Sequence, residues 1–204
     1  MAIQNVNWFY LKKQFGASLV EFMIAALIGA IALTIIGGVF LNNQKSAMTR
    51  AKEIMLQQQM SGVLHQLKTD LSRAGFNGDN EASFTLSGAT AVVDNDAESI
   101  GYAYRVAVNG TQRNSVLYKK EGNKFQYCYQ QNKPDIKSRA DLTGCYNLFD
   151  PDQIVVTAFD VQRENISSDR AKRAWLNIKL SAELIEDSNT NRTMEIQLQQ
   201  RNWQ

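Results

Sequence analysis

Histidine is nearly absent from this 204-residue chain: His65 is the one example, and it stands far in sequence from the two cysteines, Cys128 and Cys145. That scarcity argues against a zinc site, which draws on clustered Cys and His ligands; no Cys-x-x-Cys occurs either. It argues equally against a Ser-His or Cys-His nucleophile, because no histidine accompanies a candidate hydroxyl or thiol. Proline is missing from residues 17–74, so nothing interrupts a helix there. An excess of one charge is missing too. The 22 basic and 20 acidic residues leave a formal charge of +2, without the concentrated basic face of a nucleic-acid binder. Long apolar runs are lacking but for one: residues 22–41 are 20 uncharged positions, enough to cross a hydrocarbon core. The chain is therefore read as a non-enzyme that needs no cofactor or metal and has no nucleic-acid partner.

What is present is a single carboxylate, Glu21, at the head of that apolar run. An acidic side chain deep in a bilayer costs roughly 2.5–3.5 kcal/mol on insertion scales. Anchoring alone does not require it. The charge is read as one that seeks a partner in another protein chain, against the alternative of a carboxylate snorkelling at the membrane edge. Lys12 and Lys13 precede the apolar run, which places residues 1–16 in the cytoplasm and sends the remainder across the membrane, although Lys45, Arg50 and Lys52 weaken that asymmetry. The run is longer than the ~7–15 residues of a secretory signal core.

Four segments follow from composition and period. Residues 1–16 are a polar, aromatic and basic leader; 17–44 are the apolar half of a long helix; 45–75 are its amphipathic half; 76–204 are a β-rich domain. In the amphipathic half Met60, Val63, Leu64, Leu67, Leu71 and Ala74 recur at helical spacing, and Gly75 is the stop. Gly37 and Gly38 are the weak point of the helix, since each glycine costs about 1 kcal/mol there and invites bending. Beyond Asn77 the period falls to two. Ile100, Tyr102, Tyr104, Val106 and Val108 alternate up to an Asn109-Gly110 turn, and Glu121-Gly122-Asn123 separates two strands of a hairpin. Residues 154–161 form another strand. Leu176 to Leu184 alternate most cleanly, and Met194, Ile196 and Leu198 repeat the pattern after a polar loop at 187–192. The sum is an α+β protein, one antiparallel sheet with a wet face and a dry face covered by the amphipathic helix.

Cys128 and Cys145 form an even pair in an exported domain, which favours a disulfide over two separate buried thiols. Asp94, Asn95, Asp96 and Glu98 offer oxygen ligands for calcium but lack EF-hand spacing, so a solvated loop before the Ile100 strand is the plainer reading. Tyr102, Tyr104, Tyr118, Tyr127, Tyr129 and Tyr146 either fill a sheet face or make a subunit interface. His65 is read as structural.

The order Gly16, Ala17, Ser18, Leu19, Val20, Glu21 resembles the leader junction of type IV prepilins and pseudopilins. The resemblance implies cleavage after Gly16 by a prepilin peptidase, N-methylation of Ala17 and an assembly role for Glu21; phenylalanine is usual where Ala17 stands. It also implies a type IV pilin-like fold. The segment Leu67-Lys68-Thr69-Asp70-Leu71-Ser72-Arg73-Ala74-Gly75-Phe76 and the closing Ile196-Gln197-Leu198-Gln199-Gln200-Arg201-Asn202 resemble PilW-type minor pilins, including the prepilin-peptidase-dependent B-type proteins. The resemblance then implies a single-pass inner-membrane protein with a periplasmic domain that moves into the tip of a pilus. Its partners would be other minor pilins, the major pilin, the prepilin peptidase and the inner-membrane assembly platform. The alternatives are a J-type minor pseudopilin of type II secretion, or an adhesin or DNA-uptake module displayed at the tip.

Overall fold

The computed structural model describes residue 16 and residues 18–78, 82–108, 110–167 and 172–200. Ala17, most of the leader, Asn109 of the expected turn, and Arg201 and Asn202 lie outside the described residues. The chain divides into two compact units, residues 1–48 and 49–204. One helix, α1 (Leu19–Leu71, 53 residues), runs through the division.

In the first unit every described residue of α1 is solvent-exposed, including Phe22, Ile28, Ile35 and Phe40. The apolar part of α1 is long and apolar enough to cross a membrane. Its one hydroxyl, Thr34 Oγ1, donates to the Ala30 carbonyl at 2.9 Å, so no polar side-chain group is stranded there.

In the second unit α1 buries Leu56, Met60, the pair Val63 and Leu64, Leu67 and Leu71, which recur every three or four residues along one face. Past Leu71 the chain tightens, with Arg73 N–H to Asp70 O and Ala74 N–H to Leu71 O. Gly75 then turns it at φ +77 and donates its N–H to Ala103 O at 2.8 Å, which ties the helix end to the sheet.

Two antiparallel sheets receive the helix, where the alternation had suggested one. The first comprises β1 (Val93–Asp96), β2 (Ser99–Arg105), β3 (Arg113–Glu121), β4 (Lys124–Lys133) and β5 (Tyr146–Asn147), paired in that order. The second comprises β6 (Ile154–Ser167), β7 (Lys172–Leu184) and β8 (Asp187–Gln199). The break falls at residues 150–153. Asp150 accepts from Asp152 N–H at 3.0 Å and from the Gln153 side chain at 2.8 Å, and Pro151 brings no N–H to continue a ladder. The edge of β6 is stitched to the first sheet instead: Asn95 Nδ2 donates to Val161 O and Arg163 Nη1 to Val93 O, each at 3.3 Å.

The expected hairpin is β3–β4, with Gly122 at φ +58 in its turn. Three expectations need correction. Val106 and Val108 lie beyond the end of β2 and are 45% and 44% exposed, because the chain leaves the sheet after Arg105. The polar stretch 187–192 is strand and not loop. Asn191, Arg192 and Thr193 pair with Glu183, Ala182 and Ser181, and Ser181 Oγ meets Thr193 Oγ1 at 2.8 Å. Backbone pairing and cross-strand hydroxyls hold this segment, so hydrophobic alternation was the wrong signal for it. Likewise Asp94, Asn95 and Asp96 are strand residues of β1, anchored by buried Val93.

The main core joins α1 to both sheets, with Ile100, Tyr118, Phe125, Phe159, Leu176, Ile178 and Leu180 at its centre. The opposite face of the first sheet is not simply wet. Leu86, Ala103, Leu117, Cys128 and Leu142 form a second, smaller cluster under the flanking loops. Among the described residues, every buried hydrophobic side chain lies between Leu56 and Leu198. The second unit therefore carries a complete core of its own, and the packing that folds it needs nothing from residues before 49.

Candidate functional site

The head of α1 is built as a cap. Phe22 N–H donates to Ser18 O at 3.1 Å, the first helical bond, which makes Ser18 the N-cap and Glu21 the third helical residue. Glu21 Oε2 accepts the Ser18 backbone N–H at 2.9 Å. This is the carboxylate half of a capping box, and it sets a negative charge against the positive end of the helix dipole. Ser-x-x-Glu ahead of an apolar run is the sequence signature of this cap. Gly16 is exposed just before this turn. Gly37 and Gly38 lie inside α1, and a Cβ at either would meet nothing within 4 Å.

Cys128 on β4 and Cys145 just before β5 are joined as a disulfide, with Cys128 fully buried in the smaller cluster. The 17-residue separation corresponds to a stabilisation of about 3 kcal/mol through the unfolded chain.

The tyrosines make a graded ladder. Tyr102 and Tyr118 are fully buried; Tyr104 and Tyr127 are partly buried; Tyr129 and Tyr146 are 37% and 47% exposed. Ring centroids lie 4.8 Å apart for Tyr118–Tyr127, and 5.3 Å apart for both Tyr127–Tyr129 and Tyr127–Tyr146. At the inner end Tyr118 donates its hydroxyl to Asp70 Oδ2 of α1 at 2.6 Å. Burial, then the bond to Asp70, push the Tyr118 phenol far above its ordinary range. Burial and the Asp70 charge raise Tyr127 as well, and burial raises Tyr102. The two readings of these residues divide along the ladder: the inner tyrosines fill a sheet face, and the outer ones are open to solvent.

Along one side of α1, also within the second unit, a groove of about 400 Å³ is lined by Met55, Gln58, Gln59, Val63, Gln66 and Leu148. It is uncharged, with the amides of three glutamines set among the apolar side chains of Met55, Val63 and Leu148. Of the oxygen ligands offered for calcium, Asp94 and Asp96 face a cation of the chain itself, and Glu98 pairs with Lys120 at 3.1 Å. Arg139 lies 3.5 Å from Asp94 and 3.3 Å from Asp96, and no cluster fit for a metal occurs among the described residues. His65 is exposed on α1.

The family model for prepilin peptidase-dependent protein B matches residues 49–200. No curated protein and no solved structure matches significantly. The matched range is almost the whole of the second unit and stops short of the capped helix head.

Proposed function

Because the chain belongs to the prepilin peptidase-dependent protein B family, we propose that it is a minor pilin of the PilW type that primes type IV pilus assembly from a tip complex. The observation that carries this reading is a single continuous helix with two different surfaces. Its first part is apolar and exposed all round behind a capped glutamate, and its second part is buried in a self-contained domain. A helix of the first kind is suited to moving between lipid and the packed helices of a filament, because its surface is satisfied by either.

In this proposal the prepilin peptidase removes the leader after Gly16, and Ala17 becomes the methylated N-terminus. The single-pass precursor holds its domain in the periplasm. In the monomer Glu21 caps its own helix through Ser18. In the filament it accepts the terminal ammonium of a neighbouring subunit. Two charges that are each costly alone are then neutralised together, which sets the register of the helices. Gly37 and Gly38 are the hinge at which α1 bends on extraction from the membrane. The outer tyrosines and the glutamine-lined groove are the contact surface toward other minor pilins, and the assembly platform and major pilin complete the set of partners.

A J-type role in a type II secretion pseudopilus uses the same helix head, and a deletion strain separates the two. Loss of surface filaments with normal export of secreted enzymes is the expected result, restored by the wild-type chain in trans. Normal filament number with failed secretion would assign the chain to the secretion system.

A further inference from the structure

The outward face of β6, β7 and β8 carries an organisation that the proposed contact surfaces leave out. Strand register places three rows of side chains across it. Trp175 lies between Glu164 and Gln199, Asn177 between Gln162 and Gln197, and Lys179 between Asp160 and Glu195. Trp175 is 41% exposed, whereas Leu176 and Ile178 between these positions and Leu180 just after them are fully buried, so the rows face away from the core. Gln162, Glu164, Trp175, Asn177 and Gln197 line a depression of about 160 Å³. Asn177 Oδ1 is itself buried, without a hydrogen-bond partner.

A lone exposed tryptophan needs no explanation by itself. Here it is the one aromatic ring among the nine positions of these rows, beside four primary amides and four charged side chains, on strands whose inward side chains are packed in the core. A flat ring offers stacking area at small entropic cost, and the amides beside it offer donors and acceptors, with Gln162 Nε2 itself steadied by donating to Asp160 Oδ2 at 3.1 Å. That combination suits a flat, apolar-faced ligand with an equatorial fringe of hydroxyls. Among the charged residues of the three rows, Asp160, Glu164 and Glu195 outnumber Lys179, which disfavours nucleic acid and acidic polymers. Across three strands the rows span roughly 10 Å, and Trp175 to Asn177 spans roughly 7 Å, a footprint on the scale of a disaccharide.

We propose that this face is a binding site for a neutral oligosaccharide, with Trp175 as the stacking platform and Gln162, Asn177 and Gln197 as the hydroxyl-reading groups. The site stands on the second unit alone and does not depend on the filament reading. Glu164, paired across from Trp175, is the charged rim of the site.

The test uses residues 49–200, which contain the whole core and in which Trp175 is the sole tryptophan, so its fluorescence reports this site only. Cellotetraose, and separately its N-acetylated counterpart chitotetraose, are titrated against it. A saturable change in emission with a Kd on the order of 1 mM or tighter, insensitive to salt, is the expected result with at least one of them. Because Trp175→Ala removes the fluorophore, binding by the variants is read by saturation-transfer NMR. Trp175→Ala is expected to weaken binding about tenfold or more, and Trp175→Phe to retain most of it. Should Trp175→Ala fail to fold, the surface pair Gln162→Ala and Gln197→Ala takes its place with the same expected loss. No binding of either tetrasaccharide at about 10 mM would overturn the proposal. So would binding that these variants leave unchanged.

Discussion

Glu21→Leu is expected to lower incorporation of this chain into filaments by more than about tenfold, while the melting temperature of its soluble domain stays unchanged. The first part follows from the proposed pairing: a subunit lacking the carboxylate leaves a neighbour's terminal ammonium without a partner in a low-dielectric helix bundle, and truncating one partner of such a pair costs roughly 3–5 kcal/mol. The second part follows from the division of the chain, since every described buried hydrophobic residue lies between Leu56 and Leu198. Membrane insertion of the proposed precursor is expected to be unimpaired, because leucine is favoured where an acid costs roughly 2.5–3.5 kcal/mol.

The capping bond from Ser18 N–H to Glu21 Oε2 complicates this variant, since leucine removes a cap as well as a charge. Glu21→Gln separates the two effects. Its amide oxygen can still accept from Ser18, as glutamine does in capping boxes, but it carries no charge. Counting the tagged subunit in sheared filaments distinguishes the roles. If Glu21→Gln fails as Glu21→Leu does, the charge is what assembly needs. If Glu21→Gln assembles normally, Glu21 is a helix cap and the register role is lost.

Stability is expected to fall steeply above pH 10 and to be flat below it as far as the tyrosines are concerned. Burial raises the phenols of Tyr102 and Tyr118 far above their ordinary value, and the bond to Asp70 adds to the shift at Tyr118. In the unfolded chain both would ionise near pH 10. Above that pH the native state holds protons that the unfolded state has released, so the unfolding free energy decreases as pH rises. Each group contributes about 1.4 kcal/mol per pH unit, so the pair contributes on the order of 3 kcal/mol per unit. Tyr127 moves in the same direction but is more exposed and adds less. Urea unfolding of the second unit at pH 9, 10 and 11 measures this directly. Tyr118→Phe should flatten the slope by about half, and at pH 7 it should cost about 1.5–3 kcal/mol for the lost bond to a carboxylate. A stability independent of pH between 9 and 11 would contradict the buried ladder.

Much of this architecture could be read from residue spacing. Met60, Val63, Leu64, Leu67 and Leu71 are the buried stripe of α1, and Gly75 is its stop. The odd–even pattern from Leu176 to Leu184 is β7. Where the sequence misled, the deciding physics was non-local or did not involve burial. Residues 187–192 are polar yet belong to β8, because their partners on β7 supply the hydrogen bonds. The division into two sheets depends on how Asp150 turns the chain and on Asn95 and Arg163 reaching across, contacts between residues about 70 apart. Tyr102 and Tyr146 look alike in sequence, and only the fold makes one core and the other surface.

The candidate sites show the same contrast. Glu21 is conspicuous as an acid at the head of an apolar run, whereas its partner Ser18 shows only through the Ser-x-x-Glu spacing. Trp175 extends the outward positions of β7 by one step beyond Asn177. Its place on the wet face was therefore legible, while the amides around it come from two other strands and were not.

The account turns on whether the chain is a processed subunit whose free amine and glutamate meet between protomers. Mass spectrometry of the N-terminal peptide from assembled filaments tests this most directly. The predicted result is a chain that begins at Ala17, carries one methyl group on its amine, and forms a short-range crosslink from that amine to Glu21 of another copy or another pilin. A chain that still begins at Met1 in cells possessing the peptidase, and that is found only as a monomer in the membrane, would contradict it.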